Sequence, residues 1–302
     1  MTSFVIRLAT LAVATLAAGG VLAQDVEKPE RSAPAPPVPA PSPNAESIPL
    51  YDDTGDENHE QWETFFSQLI VRNVNKPSIY PVLPESANRN GKAILILPGG
   101  GYQFVSMQNE GFPVAERLAE AGYTAFILKY RTRDTRRAPA EFLEDAGKVF
   151  RGLGTTRLQG FQPAVDDLHA AIDRVRELCP LFGCEGNDMS IAGFSAGART
   201  VIRALEDAEN APGAVNVALV YPPMLDPIAT KPAFPLFLVA AQDDPLFRQG
   251  GFTLADAWVR MGGSIEFHLY NAGGHGFGAS VTGKTSQNWL DAYIAWLAEQ
   301  LF

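Results

Sequence analysis

Three short stretches hold the residue types from which nucleophilic hydrolysis can be built. Ser195 lies in Gly193-Phe-Ser-Ala-Gly197, Asp243 and Asp244 lie in Gln-Asp-Asp-Pro, and His275 lies in Asn271-Ala-Gly-Gly-His-Gly-Phe277. A serine hydroxyl attacks a carbonyl efficiently only when a base takes its proton and a carboxylate orients that base. Met189, Ile191 and Ala192 read as the end of a buried strand, and Ala196 to Leu205 reads as a helix. A sharp turn between the two strains the backbone at the serine and calls for small residues two positions to either side, hence Gly193 and Gly197. It would hold the hydroxyl out at the carboxyl edge of a sheet, beside the positive end of a helix. The same pentapeptide also suits a tight turn without chemistry, so the rest of the chain must decide.

The stretch Lys92 to Leu97 is a nearly continuous apolar run of strand length, the pattern of a parallel strand buried on both faces. Pro98-Gly99-Gly100-Gly101-Tyr102 ends it. Three glycines leave backbone N–H groups open to a ligand, and a position just after a core strand and upstream of the serine suits an oxyanion-binding loop better than a flexible turn. Of the histidines, His268 falls inside a strand, His59 in an acidic N-terminal region and His169 on a helix, where a structural role is expected. Only His275 has a loop able to reach the serine. The order serine, aspartate pair, histidine is itself informative, because each member follows a predicted strand and all three land on one sheet edge.

The elements that must position these residues alternate. Phe112–Ala121 reads as a helix stopped by Gly122, Tyr123–Tyr130 as a strand, and Phe161 to Val175 as an amphipathic helix. Val215–Tyr221, Pro235–Ala241 and Ser264–Tyr270 read as strands, with helices over Phe252–Met261 and from Trp289 to Leu301. Such alternation implies an α/β fold with a mostly parallel, doubly wound sheet. Trp62, Phe65, Phe66 and Leu69 have helical spacing, residues 71–90 read as edge strand and turns, and the arginine-rich stretch Arg131–Gly160 reads as a surface excursion near the site.

The chain has 302 residues, a formal charge of −10 and 46% hydrophobic residues, enough for one large α/β domain. The acidic balance argues against nucleic acid or an anionic membrane as partner. Residues 1–23 resemble a secretory signal: Arg7 is the only charged side chain, Leu8 to Ala17 is apolar, and Val21-Leu22-Ala23 offers a cleavage site. The expectation is an exported protein, periplasmic or secreted, with no stable membrane insertion after cleavage; the competing reading is an uncleaved anchor. Residues 24–49, rich in Pro and Ala, read as a disordered linker, leaving residues 50–302 as the folded domain. The two cysteines, Cys179 and Cys184, suit a disulfide in an exported protein or two buried thiols.

Taken together, Pro98-Gly-Gly-Gly-Tyr102, the strand ending Leu-Lys-Tyr-Arg131, Gly-Phe-Ser-Ala-Gly, Asp-Asp-Pro and Gly-Gly-His-Gly-Phe resemble the acetyl-xylan and feruloyl esterase-like branch of the α/β-hydrolase superfamily, over about residues 92–302. The resemblance implies an α/β-hydrolase fold with Ser195 as nucleophile, His275 as base and Asp243, which comes directly off its strand, as orienting acid. The N–H groups of Gly100, Gly101 and Ala196 would form the oxyanion hole. It further implies a serine-dependent ester hydrolase that deacetylates plant polysaccharide or oligosaccharide through an acyl-enzyme, without metal or organic cofactor. The substrate is expected to be a small-molecule or carbohydrate ester, with Tyr102 and Phe104 stacking on a sugar ring. Two departures touch the surroundings of the site. The chain runs Gly197-Ala198-Arg199 where the family commonly has Gly-Gly-His, and Leu246-Phe247 follows where Val-Pro is common. A general short-chain esterase, a lipase or peptidase of the same fold, and a non-catalytic binding protein are the competing readings. The short stretch Met224–Ala233 offers no broad lipase-like lid, and no member of the triad is missing.

Overall fold

The apolar runs become strands buried on both faces. The computed structural model describes residues 34–300 apart from 54, 207–212, 226–233 and 281, so the expected signal segment, residues 1–23, lies outside the described residues. The larger of two sheets contains β2 (Ile48–Pro49), β5 (Ser78–Val82), β6 (Lys92–Leu97), β8 (Thr124–Lys129), β9 (Glu185–Phe194), β10 (Asn216–Val220), β11 (Leu236–Ala241) and β12 (Ile265–Tyr270). Their spatial order is β12-β11-β10-β9-β6-β8-β5-β2. All pairings from β8 through β12 are parallel, and β5 and β2 are added antiparallel. The smaller, antiparallel sheet contains β1 (Val38–Pro39), β3 (Gln61–Phe65), β4 (Gln68–Arg72) and β7 (Val105–Ser106). The helices are α1 (Phe112–Glu120), α2 (Pro139–Gly152), α3 (Gln162–Phe182), α4 (Ala196–Glu206), α5 (Pro245–Gly250), α6 (Thr253–Arg260) and α7 (Trp289–Glu299). This is the α/β-hydrolase arrangement.

Parallel register sets the site. Leu97 pairs with Gly193, Val220 with Phe194, and Ala241 with Tyr270. The chain therefore leaves the sheet along one edge at Pro98, Ser195, Tyr221, Gln242 and Asn271. Burial explains why these strands read so plainly. Ile94 to Leu97, Leu236 to Val239 and Ala125 to Leu128 are fully buried, and each large aliphatic side chain so buried contributes about 1.5–3 kcal/mol. On α7, Tyr293 and Trp296 pack at a tilt on Phe237 of β11, while Trp289 packs on Phe194 just before the serine.

Two expectations change at the N-terminal half. The residues from Ala35 on group into one compact unit. Val38–Pro39 pairs with β3 and Ile48–Pro49 with β5, so the linker expected over 24–49 does not extend across these segments. Residues 61–72 form a hairpin rather than a helix. Phe66 and Ser67 both have positive φ (49° and 60°), as a two-residue hairpin turn requires. That turn interrupts the period of two, so Trp62, Phe65, Phe66 and Leu69 fall at helical intervals by coincidence. The hairpin also buries Arg72, whose Nε and Nη2 donate to Glu63 at 2.7 and 2.8 Å and whose guanidinium lies over Phe142.

The excursion 131–160 contains α2, which starts with Pro139 in its first turn. Phe142 and Ala146 of α2 pack with Phe65, Ile70 and Phe104 in a second small core. This contact with the hairpin orders a stretch whose own periodicity is weak. Cys179 and Cys184 are joined by a disulfide where α3 ends at a left-handed Gly183 (φ 70°), and the N–H of Cys184 donates to the carbonyl of Cys179.

Candidate active site

Ser195 directly follows β9 and has φ 49°, a left-handed conformation that costs a residue with a Cβ about 1–2 kcal/mol. The flanking glycines are required by contact. A Cβ on Gly193 would lie 2.8 Å from the Ala198 Cα, and one on Gly197 would lie 2.1 Å from the Leu97 carbonyl oxygen. The turn is held by the Ser195 N–H donating to the Val220 carbonyl (3.0 Å) and the Arg199 N–H donating to the Ser195 carbonyl (2.9 Å). Ala196 and Gly197 begin α4, so their N–H groups belong to the first turn, which has no intrahelical acceptor.

The structure brings His275 to Ser195: Nε2 lies 2.8 Å from the serine Oγ. The other ring nitrogen, Nδ1, lies 2.9 Å from Oδ2 of Asp244. A carboxylate only accepts, so Nδ1 carries the proton and the Nε2 lone pair faces the serine hydroxyl. This corrects the expectation for Asp243. Asp243 instead accepts from the N–H groups of Gly273 (2.8 Å) and Gly274 (2.7 Å) through Oδ1. Burial alone would raise its pKa, but these backbone donors outweigh it and hold the carboxyl below the usual range. The physical reason is the turn. β11 ends at Ala241, Gln242 and Asp243 make the bend, and the Asp244 N–H closes back on the Ala241 carbonyl (3.1 Å). Asp244 is then the N-cap of α5, its Oδ1 accepting from Leu246 N–H at 2.8 Å while Oδ2 faces the imidazole. One aspartate orients the ring; its neighbour shapes the loop that carries the ring.

The glycine loop runs beside the serine. A Cβ on Gly99 would lie 2.9 Å from the Ser195 Cβ. Gly100 and Gly101 take φ of 130° and 62°, and Tyr102 follows at 60°. Tyr130 Oη donates to the Pro98 carbonyl (2.7 Å), and the Gly99 carbonyl accepts from Ser106 N–H (3.1 Å). The Gly99 N–H is committed to a carboxylate oxygen of Glu110. Tyr102 is not a stacking platform: it is 1% exposed, its hydroxyl pairs with Thr200 Oγ1 on α4, and its ring packs on Tyr130 and Phe161. Its left-handed backbone turns the side chain inward. Phe104 is likewise buried, against Phe65, Phe142 and Phe150.

The other histidines stand apart from the triad. His59 pairs with Arg137, His268 with Glu266 on β12, and His169 sits on α3. Arg131 is paired with buried Asp167 (2.6 Å), Arg133 lies over Phe161 and donates to the Gly160 carbonyl, and Arg136 pairs with Asp145 and Glu144. These arginines serve the fold of the excursion. That excursion borders the site at two points: Val149 of α2 lies 3.3 Å from where a Gly101 Cβ would sit, and Gly154 abuts Pro245 of α5. Among the described residues, no group of three or more His, Cys, Asp or Glu side chains is placed to hold a metal ion.

Three residues at the site escape sequence reasoning. A single π-helical turn, Met107–Gly111, precedes α1 and carries Asn109 and Glu110. Glu110 is 4% exposed and accepts from Tyr221 Oη at 2.6 Å as well as from Gly99. Tyr221, itself left-handed (φ 40°), packs its ring against His275 with centroids 5.2 Å apart. Two neighbouring polar residues next to an amphipathic helix carry no signal that they point inward.

A serine hydroxyl held at strain, an imidazole with its lone pair aimed at it, and a buried carboxylate behind the imidazole are the parts from which acyl-enzyme chemistry can be built. Comparison with known proteins agrees with the architecture. The acetylxylan esterase of Xylanibacter ruminicola is 25% identical over 267 residues, covering 76% of this chain; the chain spans about half, 49%, of that relative's length. Among solved structures, the acetyl ester-xyloside bifunctional hydrolase of Caldicellulosiruptor lactoaceticus superposes with TM-score 0.61 at 20% identity, covering 85% of this chain and 97% of that one. A propionate-bound esterase of Thermogutta terrifontis gives TM-score 0.60 at 17% identity, covering 86% and 96%. Residues 79–299, which span β6 through α7 and hence every side chain of the site, match the dienelactone hydrolase family, and the chain belongs to that family of α/β-hydrolases.

Proposed function

We propose that the protein is a serine-dependent carboxylic-ester hydrolase that releases short acyl groups, above all acetyl, from saccharides. One observation carries the reading: the unbroken relay from Ser195 Oγ through His275 to Asp244, at 2.8 and 2.9 Å. Ser195 Oγ attacks the ester carbonyl carbon as Nε2 takes its proton. The tetrahedral oxyanion is received by N–H groups of the glycine loop, Gly100 and Gly101, and by that of Ala196 at the start of α4; removing a single such donor typically costs about 10²–10³ in turnover. The imidazolium gives its proton to the departing alcohol, leaving an acyl-serine, and water activated by the same ring releases the acid. No step calls for a cofactor.

The saccharide part of the proposal is supported by the names of two relatives, an acetylxylan esterase and an acetyl ester-xyloside hydrolase. The expected aromatic platform does not support it, because Tyr102 and Phe104 are inside. The test is kcat/KM on an acetylated xylo-oligosaccharide, an aryl acetate and a long-chain aryl ester. The proposal expects the acetylated saccharide to be hydrolysed and the long ester to be poorest. If the saccharide is untouched while the aryl acetate is cleaved, the protein is a general short-chain esterase. Export belongs to the same proposal, supported by the apolar run within residues 1–23 and by the Cys179–Cys184 disulfide; intact mass of the native protein tests it, and a species retaining residues 1–23 would refute cleavage.

A further inference from the structure

Glu110 is a buried acid with, among the described residues, no cationic side chain at hydrogen-bonding distance. Both of its carboxylate oxygens accept: one from Gly99 N–H in the loop beside Ser195, the other from Tyr221 Oη at the end of β10. Tyr221 Oη in turn accepts from Gly278 N–H (3.1 Å), three residues beyond His275. The donors are thus arranged for an ionised carboxylate, with Tyr221 passing its own proton toward Glu110 and receiving one from the histidine loop. The preceding residue of the π-helical turn holds the same loop: Asn109 Nδ2 donates to the Gly276 carbonyl (2.9 Å), and its Oδ1 accepts from Ser280 N–H (3.1 Å). Single π-helical turns are concentrated at functional sites, and this one aims two successive side chains at the two loops that meet over the serine.

Stability does not explain the acid. Burial raises the Glu110 pKa, against the lowering effects of Tyr221, Gly99 and His275. With a raised folded-state value, its favourable contribution is present below the ordinary carboxyl pKa and is lost as pH rises through the raised one. Its contribution to stability therefore falls as pH rises. Among the described residues, the titratable groups coupled to it are Tyr221, Tyr130 and His275, with Asp244 beyond Tyr221, and none of these is a permanent cation. Natural proteins keep such features where function requires them.

We propose that Glu110 is a positioning residue which, through Tyr221, locks the glycine loop beside Ser195 and the loop carrying His275 into one register. Its hydrogen bonds go to Gly99 and Tyr221 rather than to the serine or the histidine. This inference rests on the serine-hydrolase reading, and its test separates the two. Wild type, Glu110→Gln, Tyr221→Phe and the double variant are titrated with an aryl phosphonate, and kcat on an aryl acetate is expressed per labelled site. In Glu110→Gln the amide still accepts on one side but opposes a donor with a donor on the other; in Tyr221→Phe the ring stays against His275 while the hydroxyl bridge is gone. The expected result is a kcat per labelled site lower by about 10–100-fold in each single variant, the scale of a misplacement of about 1 Å, with KM changed much less. The double variant should lose little more than Glu110→Gln alone, because both changes cut one connection. Fewer labelled sites with unchanged kcat per site would mean a purely structural acid and would overturn the proposal, as would additive losses in the double variant. If Glu110→Gln does not fold, Tyr221→Phe with unchanged kcat per labelled site overturns it alone. Absence of labelling in wild type would instead sink the serine mechanism on which it stands.

Discussion

The two edges of the large sheet handle the same backbone problem differently. At the amino edge the chain enters β6, β8 and β9 through turns in which the left-handed positions are glycines: Gly91 (φ 81°), Gly122 (96°) and Gly183 (70°). Glycine takes that conformation without a Cβ penalty. At the carboxyl edge, left-handed backbone falls not only on glycines such as Gly101 but also on Tyr102, Ser195 and Tyr221, at a cost of about 1–2 kcal/mol for each of these three. Charge follows the same division. The amino edge shows a partly exposed ion pair, Lys92 to Asp188, whereas the carboxyl edge buries Asp244 and Glu110, which among the described residues form no ion pair with a lysine or arginine. At the carboxyl edge, strained backbone and buried acids coincide with side chains that must be held in one orientation.

Substitutions at the carboxyl edge should therefore remove turnover with little loss of stability, and substitutions at the amino edge should do the reverse. Ser195→Ala is expected to have the largest effect, on the order of 10⁶ in kcat, with an unchanged thermal unfolding midpoint. Asp244→Asn should follow, at about 10⁴ in kcat, because an amide at this position no longer selects the tautomer whose Nε2 accepts. Asp243→Asn should change kcat only a few-fold, since its Oδ1 can still accept from Gly273 and Gly274. Any loss of stability in that variant should be present above the ordinary carboxyl pKa and vanish as pH falls through the lowered folded-state pKa of Asp243. Steady-state kinetics on the two variants decide the assignment, and a larger loss in Asp243→Asn would reverse it.

At the amino edge, the Cys179→Ala/Cys184→Ala double variant should lose about 2 kcal/mol, the chain-entropy scale for so short a loop, while kcat per folded molecule stays the same. Lys92→Ala should be the mildest, at no more than about 0.5 kcal/mol for a partly exposed pair. Denaturant melts measure both. A kcat loss in either variant would break the division between the edges.

Much of this fold was legible because its constraints are local. Strands buried on both faces read as unbroken apolar runs, and the turn at Ser195 had to carry Gly193 and Gly197 because no Cβ fits there. His275 was legible by its glycine-rich loop. The choice between Asp243 and Asp244 was not, since two adjacent carboxylates have the same chemistry and the outcome depends on whether one or two residues make the bend after β11. Glu110 was hidden for a different reason: its partners lie 11 and 111 residues away in sequence, and on a helical pattern it resembles the exposed Glu116 two turns on. Tyr102 and Phe104 misled because an aromatic beside a glycine loop can face either way. The left-handed backbone at Tyr102 and a core supplied by the distant hairpin turn both rings inward.

The central claim is that Ser195 is the nucleophile of a relay ending at Asp244, and mass spectrometry of the phosphonate-treated protein tests it most directly. Peptide mapping should place a single adduct on Ser195 in the wild type, with no adduct in Ser195→Ala. Labelling should be strongly slowed in Asp244→Asn and close to the wild-type rate in Asp243→Asn. An adduct on any other residue, or labelling that Asp244→Asn leaves untouched, would contradict the account.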